Sequence, residues 1–231
     1  MAESAASLVV CAHGTRDPLG RATVRALVEA VAARLPAVEV REAFVDVHGP
    51  DVVDVVGAIP VAEGLSGVVV PLLLAAGYHV HVDIADAVAS RPDVVATPAL
   101  GPDDRLVDLL LDRLAAAGAE PGRPVVLAPA GSSDQRAQAD SAEVAARLAT
   151  RWGGPVSLGF AAGPEPTVAD AVTAARVAGA NRVAVASYLL APGFFQRRLE
   201  ESGAEVVTGP LAPDDRLVDI VVDRYRAAVA G

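Results

Sequence analysis

Four histidines supply most of the chemistry in this sequence, and all stand in its first half: His13, His48, His79 and His81. Each falls at or just after a short apolar run, in CAHGTRD, FVDVHGP and AGYHVHVDIADA. Imidazole nitrogen binds Zn, Co, Ni and Fe(II). Neutral imidazole also takes up a proton near pH 7. Metal handling and acid–base work are therefore the chemistries to weigh, against a histidine merely hydrogen-bonded in a turn. Asp46 is a candidate base or outer metal ligand, or else it caps its loop. Arg16, beside the unpaired N–H groups of a helix start, suits an anionic group. Arg197 and Arg198 suit substrate carboxylates, or form an ordinary solvated helix face. Cys11, inside an apolar run, reads as core rather than thiolate ligand.

The elements that must hold these residues follow from periodicity. Short Val- and Leu-rich runs at 8–12, 38–45, 67–74 and 94–99 predict strands. Amphipathic stretches at 18–34, 50–59, 79–90 and 103–117 predict helices between them. The second half repeats the order, with strands at 124–129, 156–161, 182–190 and 204–208 and helices at 134–151, 166–178, 193–202 and 213–228. Apolar runs each followed by a helix make parallel strands buried on both faces, the α/β pattern. PDDRLVDLLLDR at 102–113 returns as PDDRLVDIVVDR at 213–224. Two such copies predict two similar lobes, residues 1–118 and 124–231, joined by a linker at 119–123 and facing each other across a cleft.

The repeat also acts as an internal control. LVVCAHGTRD aligns with VVLAPAGSSD, which sets His13 against Ala130. Asp46 falls against Ala162 and His48 against Pro164; His79 meets Phe195 and His81 meets Arg197. No histidine has a histidine partner, and every one sits where open α/β sheets place their ligands.

Gly14 permits a tight turn after the first strand, and Thr15 or Asp17 can cap the helix that follows. A strand order of 2-1-3-4 makes the first and third strands neighbours, about 4.8 Å apart, so that His13 and His79 reach one ion. In a helix starting near residue 79, steps of about 100° put Val80, Ile84 and Val88 on the buried stripe. His79 and His81 then lie on opposite flanks. Asp83 sits one turn behind His79, where a carboxylate can orient the imidazole, or simply favour the helix start. His48 and His81 are candidate rim residues.

Composition narrows the classes. A chain of 231 residues that is 52% hydrophobic can build a substantial core. A net charge of −10 with pI about 4.8 disfavours nucleic-acid and anionic-membrane roles. No apolar run reaches the roughly 18–20 residues that span a bilayer, and MAESAASLVV lacks the basic start of a signal peptide. The single cysteine forms no intrachain disulfide and fits a reducing cytoplasm. Nucleotide-binding glycine motifs, a serine-hydrolase elbow and CxxC pairs are absent. Four histidines and one cysteine also oppose a closed structural zinc site.

HGTRD after the first strand, FVDVHGPDV after the second and PLLLAAGYHVHVDI at the third resemble the class II tetrapyrrole chelatases. The sirohydrochlorin cobalto- and ferrochelatases, in their long two-lobed form, are the branch most resembled. The resemblance covers essentially the whole chain and implies two chelatase-like, flavodoxin-like lobes, each with a four-stranded parallel sheet. It implies insertion of Co2+ or Fe2+ into sirohydrochlorin without a nucleotide, in cobalamin or sirohaem synthesis. It matches the metal-site histidines to His13 and His79. It matches the acidic group, commonly Glu, to Asp46, whose shorter side chain reaches less far. The expected partners are the tetrapyrrole and a divalent ion (Co2+, Fe2+ or Ni2+) as substrate, with no permanent cofactor. The chain is expected to be a monomer or homodimer. The alternatives are a non-catalytic metal or tetrapyrrole carrier, and a two-lobe small-molecule binding protein hinged at 115–124.

Overall fold

The computed structural model describes residues 5–77 and 80–231, with the side chains of Val80 and His81 outside that description. His79 therefore lies outside the described residues. The chain divides into two compact units, Met1–Leu100 with Pro213–Gly231, and Gly101–Ala212.

Unit 1 is built on β1 (Ser7–Ala12), β2 (Val40–Phe44), β3 (Gly67–Pro71) and β4 (Val94–Ala96), all parallel, in the order β2-β1-β3-β4. Every residue of β1 and β3 is buried, as a sheet covered on both faces requires. Its helices are α1 (Pro18–Arg34), α2 (Val52–Gly57) and α3 (Ala85–Ala89), with a π-helical turn at Val80–Ile84 leading into α3.

Unit 2 holds α4 (Asp104–Ala116), β5 (Val125–Pro129), α5 (Gln135–Trp152), β6 (Val156–Leu158), α6 (Val168–Val177), β7 (Ala184–Tyr188), α7 (Phe194–Glu200) and β8 (Val206–Val207). Its sheet runs β6-β5-β7-β8, again parallel. The predicted α/β class and the two similar four-stranded lobes are thus present. β1 and β5 end where predicted, at Ala12 and Pro129, and the other six strands end one to three residues earlier, where the chain leaves the sheet for the loops at the strand ends.

The units do not break where the repeat does. Helix α4, from the first repeat, packs on β7 and α5 of unit 2. The last helix, α8 (Asp215–Val229), packs on β3 and α1 of unit 1. The predicted linker at 119–123 consequently lies inside unit 2, and the chain passes between units at Leu100–Gly101 and Ala212–Pro213. Each of these helices buries the same apolar stripe: Leu106, Leu109, Leu110 and Leu114 in α4, and Leu217, Ile220 and Val221 in α8 are fully buried. Burying one such side chain is worth about 1.5–3 kcal/mol, so α8 is an essential layer of unit 1. Polar contacts fix it in place: Tyr225 Oη donates to Ala6 O at 2.6 Å, and Arg34 pairs with Asp219 at 2.8 Å.

Candidate functional site

In unit 1 the pairing of β1 with β2 runs past the regular strands. Val45 N donates to Ala12 O and Asp46 N to His13 O, each at 3.1 Å; on the other side, Leu72 N donates to Cys11 O at 2.7 Å. His13 therefore leaves the sheet at its carboxyl edge, between the tails of β2 and β3. Gly14 follows with φ 95°, and a Cβ there would stand 2.4 Å from Asp46 O. Only glycine fits this turn. Thr15 Oγ1 accepts from Asp17 N at 3.1 Å, and Asp17 caps α1 by accepting from Leu19 N at 3.0 Å. Of the two predicted caps, Asp17 is the one used. Arg16 and His13 are both exposed. Nδ1 of His13 lies 3.4 Å from Gly14 O. With the proton on Nδ1 the ring donates there, and the lone pair is then on Nε2.

The loop after β2 is tightly closed. Phe44 N donates to Pro50 O at 2.9 Å. Within it, Val47 N donates to Asp46 Oδ1 at 2.6 Å and His48 N to Asp46 O at 2.7 Å. Closure from one residue to the second after it is a γ-turn, and Val47 at its centre has φ 65°. A β-branched residue in that region is an outlier and costs about 1–3 kcal/mol. Asp46 is exposed beside His13, so the two predicted groups are brought together. His48 instead turns into its own loop. Its ring lies 4.0 Å from Phe44, its Nδ1 is 3.0 Å from Gly49 O, and its Nε2 is buried with no hydrogen-bond partner.

The third element differs from the regular helix expected over 79–90. Residues 80–84 form a π turn, whose backbone bonds join residues five apart rather than four. Steps of 100° do not apply there, so the flanks assigned to His79, His81 and Asp83 no longer follow from α-helical geometry. Ile84 is fully buried, Val88 packs against the same core cluster, and Asp83 is half-buried. The origin of the turn is visible in unit 2. Leu73 O accepts from Leu100 N as Leu189 O does from Leu211 N, which makes the two leucines equivalent. Ile84 comes eleven residues after Leu73, whereas Leu199, fully buried in α7, comes ten after Leu189. Unit 1 thus carries one extra residue, and a single inserted residue turns an α-helical turn into a π turn.

Cys11 is fully buried beneath this edge. Burial pushes its thiol up to about 12, and the charges of Asp51 and Asp83 push in the same direction. It is a neutral core side chain, as predicted. Among the described residues, no group of three or more His, Cys, Asp or Glu gathers into a metal cage.

Unit 2 repeats the frame with Ala130 and Ala162 where unit 1 has His13 and Asp46. Ala162 N donates to Ala130 O at 2.9 Å, and Gly131 at φ 101° allows the same close approach. Arg197 and Arg198 are exposed on α7, and Arg198 lies over the Phe194 ring at 5.9 Å from its centre. Phe194 and Phe195 stand exposed side by side with ring centres 5.6 Å apart. Sequence reading passed over this pair, although exposed aromatics in a chain only 3% aromatic were a usable signal.

A family model described as CbiX matches residues 7–117 and 124–228, one match to each repeat. Comparison with curated protein sequences returned no match. Among solved structures, SirB from Bacillus subtilis with Fe3+ aligns with a TM-score of 0.80 at 19% identity, covering 98% of this chain and 96% of that one. The sirohydrochlorin chelatase SirB from Bacillus subtilis subspecies spizizenii, in complex with cobalt, gives 0.77 at 19% identity with the same coverage. CbiX, described as the terminal enzyme for biosynthesis of siroheme in denitrifying bacteria, gives 0.70 at 23% identity, covering 96% and 99%. These likenesses give the fold, and the match to both repeats gives the family: the chain belongs to the CbiX family.

Proposed function

We propose that the protein is a sirohydrochlorin chelatase, a lyase that inserts a divalent metal ion into the tetrapyrrole without a nucleotide. The supporting observation is the pairing of His13 with Asp46 at the carboxyl edge of the unit 1 sheet, in a chain of the CbiX family. Insertion must remove water from the ion and two protons from pyrrole nitrogens. His13 and His79 are assigned to the incoming ion, in an open site from which it can pass to the macrocycle. Asp46 is assigned to proton transfer or metal delivery, and Asp83 to orienting His79. Arg16, Arg197 and Arg198 are assigned to substrate carboxylates, with His81 at the rim; His48, turned into its own loop, is given no part.

The metal is taken to be Co2+ or Fe2+, in cobalamin or sirohaem synthesis in the cytoplasm. Solved relatives in complex with Fe3+ and with cobalt support this range. No helix among the described residues is long and apolar enough to cross a membrane.

The test is the rate of metal insertion, followed by the visible-band change of sirohydrochlorin with Co2+, Fe2+ and Ni2+ in parallel. Acceleration over the spontaneous reaction is expected. Loss of that acceleration in His13→Ala with His79→Ala, with the far-UV spectrum unchanged, supports the assigned ligands. Binding of metal or macrocycle without acceleration marks a carrier and sinks the enzyme reading.

A further inference from the structure

The β2 loop of unit 1 has a twin in unit 2. Phe44 N donates to Pro50 O at 2.9 Å, and Phe160 N donates to Pro166 O at 2.9 Å; Phe44 bridges to Asp51 as Phe160 does to Thr167. Asp46 N meets His13 O where Ala162 N meets Ala130 O. Val47 and Gly163 therefore occupy one position in two copies of a loop. Both have left-handed backbone, with φ 65° and 80°. The conformation belongs to the loop, and glycine adopts it without strain. Unit 1 instead places there a β-branched residue, which this backbone region disfavours most.

Burial does not account for the choice. Val47 is 37% exposed, and the twin loop closes with no side chain at this point. Its Cβ lies 3.2 Å from the place where a side chain on Gly14 would begin, so Val47 overlies the turn that carries His13. Strain of this kind persists where something offsets it, typically at ligand sites. A bare metal ion has no use for an isopropyl group. A macrocycle with an apolar face does.

We infer that Val47 is a substrate-contacting residue, an apolar side chain kept in a strained turn beside Asp46 and His13 for the tetrapyrrole ring to pack on. This inference rests on the chelatase reading above.

Val47→Gly and Val47→Thr, compared with the unaltered protein, test it. Three quantities are measured: fluorescence titration with metal-free sirohydrochlorin, insertion kinetics at saturating macrocycle, and the melting temperature. Val47→Gly is expected to melt no lower than the unaltered protein, because relief of strain offsets the lost packing. It is also expected to bind the macrocycle about tenfold more weakly, the worth of one apolar contact of this size. Its kcat should stay within about twofold, since uniform binding is lost rather than transition-state stabilisation. Val47→Thr keeps the shape and the strain but replaces a methyl with a hydroxyl, and should also weaken binding. Unchanged affinity in Val47→Gly overturns the inference. So does a lower melting point, which would make Val47 a packing residue. An unaltered protein that binds the macrocycle without speeding insertion refutes the chelatase reading while leaving the comparison of affinities intact. Failure to bind it at all overturns both.

Discussion

Asp46 N donates to His13 O at 3.1 Å. The residue assigned to the metal and the residue assigned to the proton are thus tied to one another through backbone. Their backbones are held at the edge of the sheet. Gly14 is the residue that permits it. Gly14→Ala would put a Cβ 2.4 Å from Asp46 O at φ 95°. The left-handed backbone alone costs about 1–2 kcal/mol, or a melting point lower by roughly 2–8 °C. We expect insertion to fall further than stability does, because the clash separates His13 from Asp46. Thermal melts alongside initial insertion rates check this; full activity in Gly14→Ala would show that the spacing is not needed.

Gly163→Val is the reciprocal experiment on the strained turn. A Cβ at Gly163 meets only Ser132 N, at 4.0 Å, so there is room for it, while φ is 80°. The substitution should reproduce the strain of Val47 without a ligand to offset it. We expect a loss of about 1–3 kcal/mol in chemical denaturation, and unchanged affinity for sirohydrochlorin.

Glu205 gives a prediction in pH. Its carboxylate accepts from Val183 N at 2.8 Å and pairs with Arg176; the Val183 bond first, and then the guanidinium, hold its pKa down to about 2. A depressed carboxyl contributes its full stabilisation above the unfolded value, about 4.5. That contribution is lost as pH falls from there toward 2. Glu205→Gln should therefore be less stable than the unaltered protein near neutrality, and the gap should narrow steadily below about pH 4.5. Urea midpoints across the acid range measure it. A gap that does not change with pH would show that the charge is irrelevant.

Cys11 should resist alkylation. Its sulfur is fully buried and its thiol is pushed up to about 12, and the thiolate is the reactive form. Iodoacetamide at about pH 8, where an ordinary exposed thiol near 8.5 reacts, should leave the native protein unmodified and label it fully in guanidinium. Mass spectrometry reads both states.

Much of this organisation was legible in the letters. The strand ends were marked by apolar runs that stop at CAHGTRD and FVDVHGP, and the predicted strand order 2-1-3-4 is the one observed, whereas the tie between Asp46 and His13 was not foreseen. Three features were hidden for physical reasons. The π turn at Val80–Ile84 was missed because a period of 100° treats a helix as uniform, and one inserted residue hardly changes the pattern. The exchange of α4 and α8 was missed because two near-identical segments carry the same apolar stripe, and either would cover either sheet. The strain at Val47 was missed because backbone angle is inferred from residue type, and valine at that place contradicts the rule that would reveal it.

The exchange has a consequence in time. Unit 2 is one continuous stretch, whereas unit 1 needs residues 213–231 to complete the layer over β3. On the ribosome the chain emerges from its amino end at about 5–20 residues per second. The inner stretch is whole before the outer one can close. The edge that carries His13 is translated before unit 2, yet it rests on a sheet whose covering helix is translated after it. A nascent chain halted after Ala212 would present unit 2 finished and unit 1 open along the face that α8 covers. Unit 2 is thus an insertion within unit 1, and the sheet that carries His13 and Asp46 gains its cover only once α8 has been made.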